Sequence, residues 1–189
     1  MAELSDVLDF DQRCISVLGA ERDAVLRACG KAPPLMDHQD AAVTKALHGL
    51  VGGGTAGVVC VPTGGGKTRI GAEVAVRCVV ERDYRVLWLS HKVELAEQAV
   101  AAVARVAVAR GRAFRIGRFQ ADPLKVDQRV DCVVASTATL DRRNNLDKML
   151  RANPRFDLIV VDECHHTVAR TWIGLVAELQ RRCPEVRLL

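Results

Sequence analysis

The sequence is poor in residues that several classes of protein require. Aromatic residues make up only 4% of the 189 residues, too few for a surface that recognises nucleic-acid bases mainly by stacking. No apolar run reaches the length of a membrane-spanning helix. The N-terminus also lacks the basic-then-apolar pattern of a secretion signal. We therefore expect a cytoplasmic location and no membrane partner.

Cysteine is present, but not in a pattern that builds a metal site or a disulfide framework. The seven cysteines are scattered, odd in number and contain no C-x-x-C pair, which argues against a zinc ribbon and against disulfide pairing. Cys60 and Cys132 lie in strand-like runs. We expect both to be small buried hydrophobic residues.

The composition is sufficient for one buried core. Hydrophobic residues make up 49% of the chain and charged residues 26%, which is typical of a soluble globular protein. A length of 189 residues suits a single domain. The formal net charge of +4 permits a nucleic-acid partner without requiring one.

Predicted strands and helices alternate along most of the chain. We expect residues 1–34 to form a helical extension and a linker, because apolar residues recur at helical spacing and Pro33-Pro34 then ends any helix. A helix with Asp37 as its N-cap should run to about Leu50. The expected strands are residues 58–61, 85–90, 113–119, 131–136, 156–161 and the beginning of a further strand at 186–189.

This alternation predicts an α/β fold for residues 35–189. A parallel sheet covered by helices on both faces is the usual result of such a pattern. Ligands of such sheets bind at the carboxyl ends of the strands, so residues that follow the predicted strands are the candidates for a site.

The most informative motif is the run from Val58 to Thr68. Four mostly β-branched residues predict a strand, three glycines allow a sharp turn with inward N–H groups, and a helix is expected from Lys67. Inward N–H groups, a helix N-terminus and a lysine favour polyphosphate. We expect Lys67 to reach the β- and γ-phosphates and Thr68 to place its hydroxyl on Mg²⁺. Val61 stands where the G-x-x-x-x-G-K-[ST] pattern has glycine.

A second motif supplies the acids that a nucleotide site needs. The apolar run Leu158 to Val161 ends in Asp162 and Glu163. One acid at a strand tip can hold hydrated Mg²⁺, and another can orient the attacking water. The motifs follow in the expected order, 162 − 67 = 95 positions apart. Together they predict a nucleotide-hydrolysing site.

From about Leu35 onward, the chain resembles the first RecA-like lobe of superfamily 2 helicases and nucleic-acid translocases. It is most similar to the bacterial DEAD/DEAH-box and restriction-enzyme-motor branch, in which Val61 is an ordinary variant. Motif Ia resembles Ser90 to Leu95, and the next nucleic-acid motif resembles Ala135 to Leu140. Motif II is Asp162 to His165. Motif I comprises Pro62, Thr63, Gly64, Gly65, Gly66, Lys67 and Thr68.

The resemblance implies that ATP and Mg²⁺ are the cofactors. It assigns catalytic roles to Lys67 and to Glu163, which would activate the attacking water. Asp162 and Thr68 would hold the metal, Asp162 through water. His165 would couple the nucleotide site to motif III.

One further nucleotide contact is implied near the start of the matching region. Gln39 stands where the family has a glutamine that contacts adenine. The arginine and tyrosine that usually surround it are replaced here by Met36 and His38.

The resemblance also implies a nucleic-acid partner, with DNA favoured over RNA. Contacts to the sugar-phosphate backbone would make binding tolerant of sequence and sensitive to salt. Ala138 replaces a glutamine that is common in the second of these motifs. The implied contact residues are Ser90, His91, Lys92, Thr137 and Thr139.

Three functions remain open. The first is the lobe of an ATP-driven helicase or translocase. The second is the motor part of a restriction or defence nuclease. The third is an ATP-dependent nucleic-acid sensor that does not unwind. The resemblance places motif III and a second RecA-like lobe after Leu189, so we expect a larger parent protein and almost no ATPase activity from this chain alone.

Other clusters of reactive or charged residues have simpler explanations. Consecutive residues such as Cys164-His165-His166 cannot all reach one tetrahedral ion. Arg142-Arg143 and Arg181-Arg182 are expected on solvated helix faces. Packing is the default interpretation for Trp88 and Trp172.

Overall fold

The computed structural model describes residues 14–17, 32–111, 114–119, 130–142, 144–163 and 170–189. The helices are α1 (Asp37–Val51), α2 (Lys67–Arg82), α3 (Val93–Arg110), α4 (Thr137–Leu140), α5 (Asn145–Ala152) and α6 (Arg170–Arg182). The strands are β1 (Cys14–Val17), β2 (Val86–Ser90), β3 (Phe114–Phe119), β4 (Cys132–Ser136), β5 (Leu158–Val161) and β6 (Arg187–Leu188).

These strands form one sheet in the order β1-β3-β4-β2-β5-β6. All neighbouring pairs from β3 to β6 are parallel, which confirms the predicted α/β fold. The central strand β2 pairs with both β4 and β5, and Ser90 lies opposite Ser136. The carboxyl ends of these three strands therefore meet at one edge of the sheet. None of the helices in the described ranges is long and apolar enough to cross a membrane.

The two faces of the sheet are covered by different helices. In β2, Val86 and Trp88 contribute to the core beneath α1, α2 and α3. The alternating residues Leu87 and Leu89 contribute to the core beneath α4, α5 and α6. This alternation follows from the period of two in a strand. Trp88 and Trp172 are both buried in these cores, so the packing interpretation of both tryptophans is confirmed.

The prediction of a helical extension at the N-terminus is wrong for the residues that the structure describes there. Residues 14–17 form the strand β1, which runs antiparallel to β3 with Cys14 opposite Gly117, although the helical spacing of apolar residues predicted a helix there. Pairing with β3 satisfies backbone groups that an edge strand would expose. A long-range partner of this kind overrides local periodicity. The rest of the predicted extension, up to residue 31, lies outside the described residues.

The expected strand at residues 58–61 is also not formed. Ala56 makes an isolated parallel bridge to Leu188, and the Gly57 N–H donates to the Leu188 carbonyl at 2.9 Å. Within the described ranges, the neighbour that could form backbone hydrogen bonds with residues 58–61 is β6, which has only two residues. Parallel pairing therefore does not extend beyond the bridge at Ala56. Val58 is 74% exposed, and Cys60 is exposed instead of buried as predicted.

The other cysteine prediction is confirmed. Cys132 is fully buried in β4, and burial raises the pKa of its thiol. The paired arginines of α6 are exposed, as expected for a solvated face. Arg181 pairs with Glu178, and Arg182 pairs with Glu178 and Asp147.

A buried ion cluster joins α2 to α3, and the sequence analysis did not predict it. The carboxylate of Glu73 is buried and pairs with Arg69 and Arg77 of its own helix, each at 3.3 Å. Arg110 of α3 also donates to it. Arg69 in turn donates to the Pro33 carbonyl at 3.1 Å. A buried charge is tolerated only when it is paired, and three guanidinium groups meet that need.

Candidate nucleotide-binding site

The motif I loop lies at the carboxyl edge of the sheet, immediately before α2. Gly64 and Gly66 have positive φ angles of 79° and 84°, a conformation that glycine adopts without steric cost. The Gly65 N–H donates to the Pro62 carbonyl at 2.9 Å, which closes the turn. The helical ladder then begins with Ile70 N–H donating to the Gly66 carbonyl. Lys67 and Thr68 are consequently the first two residues of α2, as the motif predicts.

Helix α1 contacts this loop through its first turn. The Gln39 side chain is only 5% exposed, and its Nε2 donates to the Gly65 carbonyl at 3.2 Å. His38 Nε2 lies 3.1 Å from the same oxygen. Gln39 Oε1 accepts from the Met36 N–H at 3.2 Å. Sequence reasoning placed Gln39 near the nucleotide but did not foresee the contact that His38 makes.

The same contacts correct the predicted start of α1. Met36, not Asp37, is the N-cap, and Asp37 is the first helical residue. The side chain of Gln39 satisfies the Met36 N–H, which is the reciprocal half of a capping box. Asp37 instead places its negative charge in the first turn, where the helix dipole favours it.

The acidic pair of motif II follows β5. Asp162 is 8% exposed, and its N–H donates to the Leu89 carbonyl at 3.0 Å. Burial, followed by the charge of Glu163, raises the pKa of the Asp162 carboxyl, while the Lys67 ammonium opposes this shift. The pKa rises because burial disfavours the charged carboxylate and the nearby positive charge compensates only in part.

Glu163 faces the loop across the site. Its Oε1 lies 3.9 Å from Lys67 Nζ. Its φ angle is 57°, in the left-handed region that costs a non-glycine residue about 1–2 kcal/mol. Unfavourable backbone conformations of this kind concentrate at functional sites.

The oxygen groups at this edge suit Mg²⁺ bound mainly through water and phosphate. Motif I offers the Thr68 hydroxyl, and motif II offers the buried carboxylate of Asp162. Within the described residues, no three or more His, Cys, Asp or Glu side chains cluster as a metal cage. Mg²⁺ is typically held by one or two carboxylates together with substrate phosphates, so the residues present fit this ion.

Motifs I, Ia and II share one cavity of about 550 Å³. The predicted site residues in its wall are Thr63, Lys67, His91, Lys92 and Glu163, and Glu94 and Leu95 complete the lining. A larger cavity of about 810 Å³ adjoins Lys67, Asp162 and Glu163, and its wall is otherwise mainly apolar. This second cavity lies beside residues 56–62 and α6, and no sequence signal marks it.

The predicted nucleic-acid contacts differ in exposure. The Ser90 side chain is 0% exposed, and its hydroxyl has no hydrogen-bond partner among the described residues. His91 is half-buried and Lys92 is exposed. A buried hydroxyl cannot contact a ligand unless its neighbours move, so among the three predicted contacts of motif Ia the accessible side chains are His91 and Lys92.

The second predicted contact segment follows β4. Thr139 is buried, and its hydroxyl lies 2.7 Å from the Ser136 hydroxyl, which also accepts from the Thr139 N–H and caps α4. Thr137 is half-buried. Because Ser90 and Ser136 are opposite each other, Thr137 follows a strand end adjacent to that of motif Ia. His165 lies outside the described residues.

Comparisons with known proteins agree with this arrangement. Residues 33–184 match the family described as "Type III restriction enzyme, res subunit". IRC3 of Saccharomyces cerevisiae, named as a candidate ATP-dependent helicase, is 28% identical over 174 residues. That alignment covers 89% of this chain and 24% of IRC3.

Two solved structures have the same fold at low sequence identity. The DUF1998 helicase MrfA is 19% identical with a TM-score of 0.66, and the match covers 89% of this chain and 28% of MrfA. S. cerevisiae Dbp5, solved with Nup159, Gle1, IP6 and ADP, is 18% identical with a TM-score of 0.60, over 90% of this chain and 45% of Dbp5. The chain thus spans less than half of each relative.

The family match includes motif I, motif Ia and motif II, and the sheet and helices agree with the solved helicases. The chain therefore belongs to the family described as the res subunit of type III restriction enzymes, and its fold is that of the first RecA-like lobe, the helicase-type motor domain, of superfamily 2.

Proposed function

We propose that this lobe binds ATP with Mg²⁺ and supplies half of the ATPase machinery of a nucleic-acid helicase or translocase. One observation carries the proposal: Lys67 Nζ and Glu163 Oε1 are 3.9 Å apart in a cavity that His91 and Lys92 also line. A phosphate-binding lysine, a carboxylate that can orient water and two basic residues for nucleic acid are thus adjacent.

The proposed roles follow from these positions. Lys67 exchanges its Glu163 partner for phosphate oxygens, which leaves the Glu163 carboxylate able to accept a hydrogen bond from the attacking water. Asp162 and Thr68 would hold Mg²⁺, and the ion would supply positive charge to the phosphates. A divalent cation beside Asp162 would favour its ionised carboxylate and so oppose the rise in its pKa.

The proposed partner is a nucleic-acid strand held by its backbone. Exposed Lys92 and half-buried His91 and Thr137 lie at the same sheet edge, and they would bind phosphate without reading sequence. We propose DNA over RNA. Ser90 and Thr139 remain in the proposal as contacts that require local movement.

The whole protein would use a second RecA-like lobe, since the relatives are two to four times longer than the matched region. Membership of the family described as the res subunit of type III restriction enzymes supports one second candidate, the motor part of a restriction nuclease. Nuclease motifs in the parent sequence would favour that candidate. Strand displacement by the parent would exclude the sensor that does not unwind.

The test compares nucleotide binding by two variants of this chain. Lys67→Ala removes a charge-assisted contact to phosphate, which is worth about 1.5–3 kcal/mol, so affinity for ATP-Mg²⁺ should fall by roughly 10- to 150-fold. Glu163→Gln should retain binding, because the amide keeps the shape of the side chain. In the parent protein both variants should lose ATP turnover.

Lys148→Ala is the matched control for the loss of one positive charge. Lys148 is exposed on α5, away from motif I, and its removal should leave ATP affinity unchanged. Equal affinities of the Lys67 and Lys148 variants would contradict the assigned phosphate site. Loss of ATP binding in Glu163→Gln would mean that Glu163 is a ligand and not the residue that orients water.

A further inference from the structure

We infer that Asn145 is a positioning residue for the nucleic-acid strand. Its side-chain amide holds the one-turn helix α4 in place and thereby keeps Thr137 at the sheet edge beside motif Ia. The inference rests on the proposed function, because Thr137 is one of the proposed contacts to the sugar-phosphate backbone. Asn145 itself lies in α5, outside the segments that resemble helicase motifs.

Helix α4 is too short to be stable without contacts from outside it. It contains only the four residues Thr137–Leu140, and an isolated helix shorter than about 12 residues is marginal in water. Leu140 anchors it in the core, and at its first turn the Ser136 hydroxyl accepts from the Thr139 N–H at 3.2 Å. The other end also needs a partner, because the last carbonyl groups of a helix have none within it.

Asn145 supplies that partner. Its Nδ2 donates to the Thr139 carbonyl at 2.8 Å. The Arg142 N–H also approaches this oxygen, but at 3.4 Å, beyond the usual range of about 2.7–3.2 Å for such a bond. The amide therefore makes the stronger of the two bonds. Asn145 and Thr139 are only 8% and 6% exposed, so water has little access to replace the amide when it is removed.

Asn145 can fix α4 because its own position is fixed. It is the first residue of α5, and its N–H donates to the Arg142 carbonyl at 3.0 Å. Met149 and Leu150 of the same helix are buried in the core beneath α4, α5 and α6. The side-chain bond to Thr139 thus ties α4 to a helix that is packed against the sheet.

The position of Thr137 connects this bond to the proposed partner. Ser90 and Ser136 lie opposite each other at the ends of β2 and β4. Thr137 therefore follows the strand end beside motif Ia, where Lys92 is exposed. Thr137 is half-buried, which leaves part of the residue accessible. A contact residue that is already held in place loses less conformational freedom on binding, so affinity is higher.

The experiment uses the parent protein and two probes. Fluorescence anisotropy measures binding of a labelled single-stranded oligothymidylate, and calorimetry measures binding of ATP-Mg²⁺. Asn145→Ala removes the amide, and Asn145→Asp keeps its shape but replaces the donor with an acceptor. Each substitution should weaken oligonucleotide binding by roughly three- to tenfold, the usual effect of one lost hydrogen bond. Affinity for ATP-Mg²⁺ should stay within about twofold, because Asn145 lines neither cavity beside motif I.

Asn144→Asp is the matched control for the added charge. Asn144 is exposed and immediately precedes Asn145, and aspartate tolerates its left-handed φ angle of 67°. The control adds the same negative charge at the same place in the fold but leaves the bond to Thr139 intact. It should weaken oligonucleotide binding by less than about twofold, because an exposed charge is screened by salt.

A double-mutant cycle tests whether Asn145 acts through α4. Thr137→Val removes the hydroxyl, keeps the branched shape and should itself weaken oligonucleotide binding. When Asn145→Ala is added to Thr137→Val, the further loss of affinity should be smaller than the loss that Asn145→Ala causes alone, because coupled residues are not additive. An asparagine that only stabilises the fold would cause the same loss in both backgrounds.

Four results would overturn the proposal. They are unchanged oligonucleotide binding by Asn145→Ala, unchanged binding by Thr137→Val, equal losses in Asn144→Asp and Asn145→Asp, and full additivity in the cycle. A parallel loss of ATP affinity would also overturn it, since that result indicates general damage to the fold. If the unmodified parent does not bind the oligonucleotide at all, the proposed nucleic-acid partner itself is wrong, which is a different result.

Discussion

The packing of α2 against the sheet determines where Lys67 and Thr68 lie. Gly71 is the residue that allows α2 to approach Trp88 of the sheet closely. Gly71 is buried in the second turn of α2. A Cβ built there would lie 2.8 Å from Cη2 and 3.2 Å from Cζ3 of Trp88. Ordinary contacts begin at 3.4 Å, so Gly71→Ala demands a shift of about 0.6 Å by the helix or the indole.

Two opposing terms set the expected size of the effect. Overpacking of a well-packed core typically costs about 1–3 kcal/mol, while alanine in place of glycine inside a helix contributes about 0.5–1 kcal/mol. The indole cannot easily yield, because Trp88 is buried on β2 between neighbouring strands. We expect a net loss of roughly 1–2 kcal/mol, which lowers the unfolding midpoint by roughly 2–8 °C in a chain of this length.

Gly174→Ala provides the control with the same chemical change. Gly174 lies inside α6, is exposed, and has nothing within 4 Å of a built Cβ. Only the helix-propensity term applies there, so its midpoint should rise by roughly 1–4 °C. Both are measured by differential scanning calorimetry. If the unfolding midpoint of Gly71→Ala equals or exceeds that of the unmodified chain, the contact with Trp88 does not limit how closely α2 packs on the sheet.

Three further predictions concern the site. Burial raises the pKa of Asp162, so its ionised form destabilises the empty fold as the pH rises from about 3.9 through the raised value. Asp162→Asn should therefore raise the unfolding midpoint at pH 7, by roughly 2–4 °C for each kcal/mol gained. The gain in unfolding midpoint should vanish near pH 3, and the control Asp141→Asn, at an exposed residue, should show no gain. A midpoint of Asp162→Asn below that of the unmodified chain at pH 7 would refute the prediction. In the parent protein, Lys92→Ala should reduce the slope of log affinity against log salt for single-stranded DNA by about 0.7. Lys45→Ala on α1 is the control and should not change the slope. Equal slopes for the two variants would exclude Lys92 as a phosphate contact. Residues 1–189 alone should show almost no ATP turnover, because an arginine from a second lobe is typically worth about 10³–10⁵ in rate, and robust turnover stimulated by DNA would contradict the two-lobe account.

The features that sequence reasoning predicted correctly are those with local causes. Gly64 and Gly66 adopt positive φ angles because only glycine does so freely. The apolar runs of β2, β4 and β5 are buried because strands covered on both faces have no polar side to expose. The acids of motif II follow β5 directly, so their place at the sheet edge depends only on the strand.

The errors occurred where a distant segment decides the structure. Residues 14–17 have helical spacing of apolar residues, but β3 offers a pairing edge about 100 positions away. Residues 58–61 have strand-like composition, yet a strand exists only where a neighbour supplies ladder bonds. Glu73 would be expected to face solvent by residue type, and it is buried because Arg110 approaches from α3.

The contact between α1 and the loop shows what a matched sequence position leaves open. Pattern matching placed Gln39 near the nucleotide because a glutamine stands there in the family, but a pattern does not say which atoms the amide meets. The structure sets the amide and the His38 ring on the Gly65 carbonyl, 26 and 27 positions away. Contacts between segments this far apart in the sequence depend on how α1 packs against the loop, which a local pattern does not encode.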